Sequence, residues 1–76
     1  MTTRIINDPI HADVPEAIIF FTPREMPANP GRIMSYMHIG QHSEATMSFM
    51  KYDTHYPKTR EERDLCRTLN AEWNAI

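Results

Sequence analysis

Apolar residues in the first half of the chain follow a strand pattern. Residues 16–22, between Pro15 and Pro23, are rich in β-branched and aromatic side chains, which is typical of a β-strand. Both alternating faces of this run are apolar, so we expect the strand to lie in the centre of its sheet or to be covered on both sides. Five prolines between residues 9 and 30 exclude a helix from this region.

Two further segments have strand character. Residues 32–40 resume the strand pattern after a proline-rich loop at 23–31, which is too long for a tight hairpin turn and is expected to be exposed. We expect these residues to pair with the first strand in an antiparallel arrangement. A short segment at 3–6 is a candidate third strand.

The second half of the chain predicts two helices. Gly40 ends the preceding strand, Ser43 is a residue type that caps helix N-termini, and Glu44 follows in the expected first turn. This first helix is predicted to be short and amphipathic and to end before Pro57.

The sequence pattern predicts the second helix more clearly than the first. Thr59 and Glu62 form a capping-box pattern at its start. Its apolar residues fall on one stripe, which consists of Leu65, Cys66, Leu69, Trp73 and Ile76. The pattern as a whole predicts one small α+β domain over residues 1–76. It has an antiparallel sheet of two or three strands followed by two helices, in the order ββαα.

This architecture predicts a surplus of apolar surface. The first strand is apolar on both faces, and two short helices are expected to cover only one face of the sheet. Methionines and aromatic residues add to this surface in the middle of the chain, namely Met34, Tyr36, Met37, Met47, Phe49, Met50 and Tyr52. We therefore expect a homo-oligomer or a contact with another protein.

Composition narrows the function classes. Eight Lys and Arg residues against ten Asp and Glu residues give a net charge of -2, and no basic stripe of the kind that binds nucleic acid is visible. One cysteine excludes an internal disulfide, and no apolar run is long enough for a signal peptide or a membrane span. A cytoplasmic protein without membrane contact is expected, and nucleic acid is an unfavoured partner.

The chain offers little for catalysis or for a cofactor. Cys66 lies in the apolar stripe, where a thiol behaves as a small hydrophobic group, and two glycines cannot build a phosphate-binding loop. His38 and His42 are four residues apart, but that spacing places two side chains on one face only in a helix, and Gly40 argues against one. From a strand end into a loop the two rings could still converge, with Asp53, His55 or Cys66 completing a set, but no recognised zinc spacing is met. We therefore predict no catalytic residue, no metal site, no cofactor and no enzymatic activity.

One turn remains a candidate binding site. Residues 40–43 precede the predicted first helix, whose free N–H groups can bind an anion, although Ser43 could satisfy those groups itself. The candidate ligand-binding or interface residues are Arg32, Tyr36, His38, Gln41, His42 and Ser43. A module that sequesters a nucleotide-like anion at the turn from Gly40 to Ser43 is thus one functional hypothesis.

The same segment carries a resemblance. The residues concerned are Tyr36, His38, Gly40, Gln41, His42, Ser43 and Glu44. They resemble a Y-x-H-x-G-Q-H-S-E segment of small bacterial and phage proteins, in which a helix bearing aromatic residues also follows. The resemblance implies a phage or mobile-element origin and carries no catalytic or binding residue to this chain. The leading hypothesis is therefore a small accessory or inhibitor protein that occupies a surface of a host or defence protein in the host cytoplasm.

Overall fold

The structure is a computed structural model that describes residues 1–8, 14–37 and 41–76, with the backbone alone at Gln41 and His42. Four strands come first, and a short helix, a two-residue strand and a long helix follow. In chain order the elements are β1 (Thr2–Ile6), β2 (Ala17–Phe21), β3 (Arg32–Met37), β4 (Gln41–Thr46), α1 (Met47–Tyr52), β5 (Thr54–His55) and α2 (Arg60–Asn74).

All five described strands form one antiparallel sheet in the order β4-β3-β2-β1-β5. The first four strands make a meander, and α1 then leads the chain to the opposite edge, where β5 pairs with β1. The predicted fold class was right in combining an antiparallel sheet with helices but wrong in its content. The sheet has five strands rather than two or three, and the order is ββββαβα rather than ββαα.

The central position of β2 is confirmed. All five of its residues are buried, because it pairs with β1 on one side and with β3 on the other, and each of its faces packs against a helix. The predicted antiparallel pairing of β2 with β3 and the candidate strand at the N-terminus are confirmed as well.

Helix α2 covers one face of the sheet, and the predicted capping box at its start is present. The Thr59 hydroxyl accepts a hydrogen bond from the Glu62 amide, and the Glu62 carboxylate accepts one from the Thr59 amide. Cys66 and Leu69 are buried against residues of β1, β2 and β3, and Leu65 and Trp73 are partly buried beside them. Ile76 was wrongly assigned to the stripe, since it lies beyond the end of α2 and is 80% exposed.

Helix α1 packs on the other face of the sheet. Its partly buried Met47, Phe49 and Met50 contact a cluster formed by Ile18, Phe20 and Ile33. The premise that both helices cover the same face is therefore wrong, because each face receives one helix. The oligomeric state itself stays a prediction. No helix in the described ranges is long and apolar enough to cross a membrane.

The start of the first helix was also predicted wrongly. Ser43 and Glu44 lie in β4, where they pair with Ser35 and Met34 of β3, and the helix begins three residues later with Thr46 as its N-cap. The Thr46 hydroxyl accepts a hydrogen bond from the Phe49 amide at 3.0 Å. Ser43 and Thr46 are both residue types that can cap a helix. The helix begins after Thr46 because Ser43 pairs with β3 as part of β4.

Candidate functional site

The structure distributes the predicted site residues over different surfaces. Tyr36 is 2% exposed on the α2 face, where its hydroxyl donates a hydrogen bond to Glu72 at 3.0 Å. Burial is the main cause that raises the pKa of Tyr36, and the nearby Glu72 carboxylate raises it further, so the phenol stays protonated and donates its hydrogen bond. Arg32 and Ser43 are exposed and line a groove on the α1 side of the sheet. Tyr36 therefore does not share a site with them.

The predicted anion site loses its physical basis. Gln41, His42 and Ser43 belong to β4, so no helix N-terminus opens at Ser43 to present free N–H groups. His38 and Gly40 lie outside the described residues, as do the side chains of Gln41 and His42.

Some backbone N–H and C=O groups of β4 point away from β3. The Met47 amide donates to the Gly31 carbonyl at 3.2 Å, which identifies these two residues as a hydrogen-bonded pair of the ladder. Gly31 reaches this position with a φ of 78°, which favours glycine. Because hydrogen-bonded and non-bonded pairs alternate in an antiparallel ladder, Ala45 and Ser43 bond to β3. The N–H and C=O groups of Glu44 therefore point away from β3.

Strand β4 is thus an edge strand with backbone groups directed outward. It has six residues, whereas β5 at the opposite edge has only two. An edge strand of this length is a template for pairing with another extended chain. Glu44 is the acidic residue of β4. Its carboxylate accepts two hydrogen bonds from Asn29, one from the backbone N–H and one from the side-chain amide, each at 3.2 Å.

A groove of about 430 Å³ lies beside this edge. Its apolar lining comes from β2, β3, β4 and α1, and consists of Ile18, Met37, Ala45 and Phe49 together with Ile6. The ring of Phe49 is partly buried and lies 6.4 Å from the ring of Phe20, centroid to centroid. Polar residues of the lining include the exposed Arg32 and Ser43 and the buried Ser35. The groove and the edge strand form one continuous surface, because Ala45 belongs to both.

A second polar arrangement joins Asn7, which follows β1, to β5 and α2 through His55. Its Nδ1 contacts Asn7 Oδ1 at 2.5 Å, and its Nε2 contacts Glu62 Oε2 at 3.0 Å. Two hydrogen bonds hold the pKa of Glu62 below its usual value. The larger effect comes from the backbone amide of Lys58 and the smaller one from the His55 ring. Since both ring nitrogens already face acceptors, His55 has no open position for general-base catalysis. The arrangement fastens β5 to the start of α2.

Cys66 occupies the core position that its spacing predicts. It is a free thiol that is 7% exposed, and burial raises its pKa, so the reactive thiolate is disfavoured. Among residues 1–8, 14–37 and 41–76, the structure brings no three His, Cys, Asp or Glu side chains together in a way that could hold a metal ion.

Comparisons with models of protein families, with curated proteins and with solved structures found no match to this chain. The sequence pattern identifies Arg32 and Ser43 as candidate site residues, and both line the groove. It does not identify Ala45, Phe49 or the outward backbone of Glu44. The alternation of Ser43 and Ala45 on one face of β4 was the available signal, and it is weak because Ser43 is polar.

Proposed function

We propose that this chain is a small accessory protein that binds another protein through the β4 edge and the groove beside it. The observation that carries the proposal is the six-residue edge strand whose Glu44 backbone groups point away from the sheet. These groups match an extended segment of a partner, which would add a sixth strand next to β4.

The groove supports the same mode of binding. In an added strand, alternate side chains point to the two faces of the sheet, so every second one lies on the α1 side. The apolar lining formed by Ala45, Met37 and Phe49 suits an aliphatic or aromatic side chain there.

The charge of the edge disfavours one form of self-pairing. Antiparallel pairing of two β4 strands with Glu44 at the two-fold axis brings the Glu44 side chains of both copies opposite each other, and like charges directly opposite are destabilising. A partner segment with a basic residue opposite Glu44 has no such penalty. The predicted homo-oligomer is the competing arrangement, and sedimentation of the purified protein distinguishes the two.

The resemblance of residues 36–44 to phage and bacterial proteins supports a more specific form of the proposal. In that form the chain is encoded by a phage or mobile element and inhibits a host or defence protein in the host cytoplasm. Affinity capture from a lysate of the native host, followed by mass spectrometry, identifies the partner.

Two variants of one residue make this capture a test of the proposed surface. Glu44→Pro removes an outward N–H group while leaving the bonds between β4 and β3 in place, and proline is tolerated in edge strands. Glu44→Ala removes the carboxylate but keeps that N–H group. We expect the proline variant to lose the partner and the alanine variant to retain it, with thermal melts showing that both fold. Equal capture by both variants would refute the proposed surface.

A further inference from the structure

The two faces of β4 differ in chemical character. Ser43 and Ala45 face the α1 side of the sheet, because Ala45 pairs with Ile33 and packs against the cluster beneath α1. Glu44 faces the α2 side, because it pairs with Met34, which packs against the cluster beneath α2. A strand added to this edge keeps the alternation. Its side chains therefore meet small residues on the α1 side and a carboxylate on the α2 side.

The α1 side of the edge opens into the groove. Ser43 and Ala45 have short side chains, and the groove beyond them has Met37 and Phe49 in its lining, both only partly buried. A bulky apolar side chain on a strand beside β4 can extend over Ser43 or Ala45 and cover this apolar surface. Large apolar residues are therefore favoured at the α1-facing positions of the bound segment.

The α2 side of the edge carries a negative charge. Glu44 is exposed, and each of its carboxylate oxygens accepts one hydrogen bond from Asn29, which is neutral. No basic side chain of a described residue forms an ion pair with Glu44. Arg32 belongs to β3, one strand further from the edge. A lysine or arginine directly opposite Glu44 in an added strand gives a favourable cross-strand pair.

We infer that the bound segment is an extended stretch of another protein in which a basic residue lies opposite Glu44, with a bulky apolar residue on each side of it. This inference rests on the protein-binding function proposed above and adds the chemistry of the partner. The pattern is the same for a parallel and an antiparallel segment, because directly opposite residues share a face in both. A second β4 strand does not supply the pattern, since residues 41–46 include no bulky apolar residue.

NMR titration of the ¹⁵N-labelled protein with three short capped peptides tests this pattern. The first peptide is Thr-Thr-Ile-Lys-Phe-Thr-Thr, the second has Glu in place of Lys, and the third has Ser in place of Ile and Phe. We expect the first peptide to shift the amide signals of Glu44 and Phe49. The second should bind about threefold to tenfold more weakly because of like charges, and the third at least about tenfold more weakly. The charge pair is a small part of the affinity, so capture by Glu44→Ala is retained.

The variants Glu44→Gln and Glu61→Gln form a matched pair. Loss of the charge at Glu44 should remove the preference for the Lys peptide over the Glu peptide. Glu61 is exposed on α2, which packs on β1 and β2, so its variant should keep that preference. Glu44→Pro should abolish binding of the Lys peptide, because an outward N–H group is lost.

The outcomes separate this inference from the proposed function. Equal binding of the Lys and Glu peptides to the wild type, or no binding of the Lys peptide, would overturn the inferred pattern. The proposed function would stand in both cases if Glu44→Pro still loses the captured partner. Binding of the Lys peptide that Glu44→Pro leaves unchanged would overturn the pattern together with the edge.

Discussion

Replacing Leu69 by alanine tests the core beneath α2. Leu69 is 3% exposed and packs in the cluster that contains Ile5, Ile19 and Tyr36. A Leu→Ala change in such a site removes apolar contacts and leaves a cavity, which costs about 2–5 kcal/mol of unfolding free energy. A domain of 76 residues has roughly 4–11 kcal/mol in total, so the loss is a large fraction of its stability.

Urea denaturation of the wild type and the variant measures this loss. Arg67→Ala is the matched control, because its side chain is 78% exposed on the same helix and alanine is equally compatible with a helix. The control should change the unfolding free energy by less than about 0.5 kcal/mol. A loss under about 1 kcal/mol for Leu69→Ala would mean that α2 does not pack on the sheet through this residue.

Three further predictions concern capping, pH and thiol reactivity. Thr46→Ala should cost about 1 kcal/mol in thermal or urea unfolding because Thr46 caps α1, whereas Ser43→Ala, in an exposed position of β4, should stay within about 0.5 kcal/mol; the reverse order would restore Ser43 as the cap. The folded-state pKa of Glu62 lies below its ordinary value of 4.5, so the stability that it contributes is present above that pH and lost as the pH falls further. Glu62→Gln should therefore show a shallower decline of melting temperature under acid conditions than the wild type, and an unchanged decline would contradict this. Cys66 should react with iodoacetamide much more slowly in the native protein than in denaturant, as followed by mass spectrometry, and equal rates would show that the thiol is exposed.

The elements that the sequence predicted correctly have strong local signals. The β2 run is short, apolar on both faces and bounded by prolines, and α2 begins with a capping box. Strand β4 has no such signal, because an edge strand with exposed Ser43, Glu44 and Thr46 lacks apolar alternation and contains two residues that can cap a helix. Its strand conformation follows from pairing with β3, which is a contact between segments that local pattern does not reveal.

The candidate site was predictable only in part for the same reason. Arg32 and Ser43 were candidates because of their place at or near the predicted turn from Gly40 to Ser43, and both line the groove. The groove itself depends on Phe49 of α1 packing on the face of the sheet that carries Ile18. The sequence pattern places Phe49 in a helix but does not assign the face of the sheet that this helix covers. The outward direction of the Glu44 backbone depends on the register between β3 and β4, which single-sequence patterns do not contain.

Residue-resolved amide hydrogen exchange of β4 tests the proposed binding surface most directly. In the free protein the amides of Ser43 and Ala45 bond to β3, whereas that of Glu44 points outward, so Glu44 should exchange at least about tenfold faster than its two neighbours. In the complex with the captured partner, the Glu44 amide should become as protected as theirs, because it then bonds to the added strand. An equally protected Glu44 amide in the free protein, or an unchanged rate in the complex, would contradict the account.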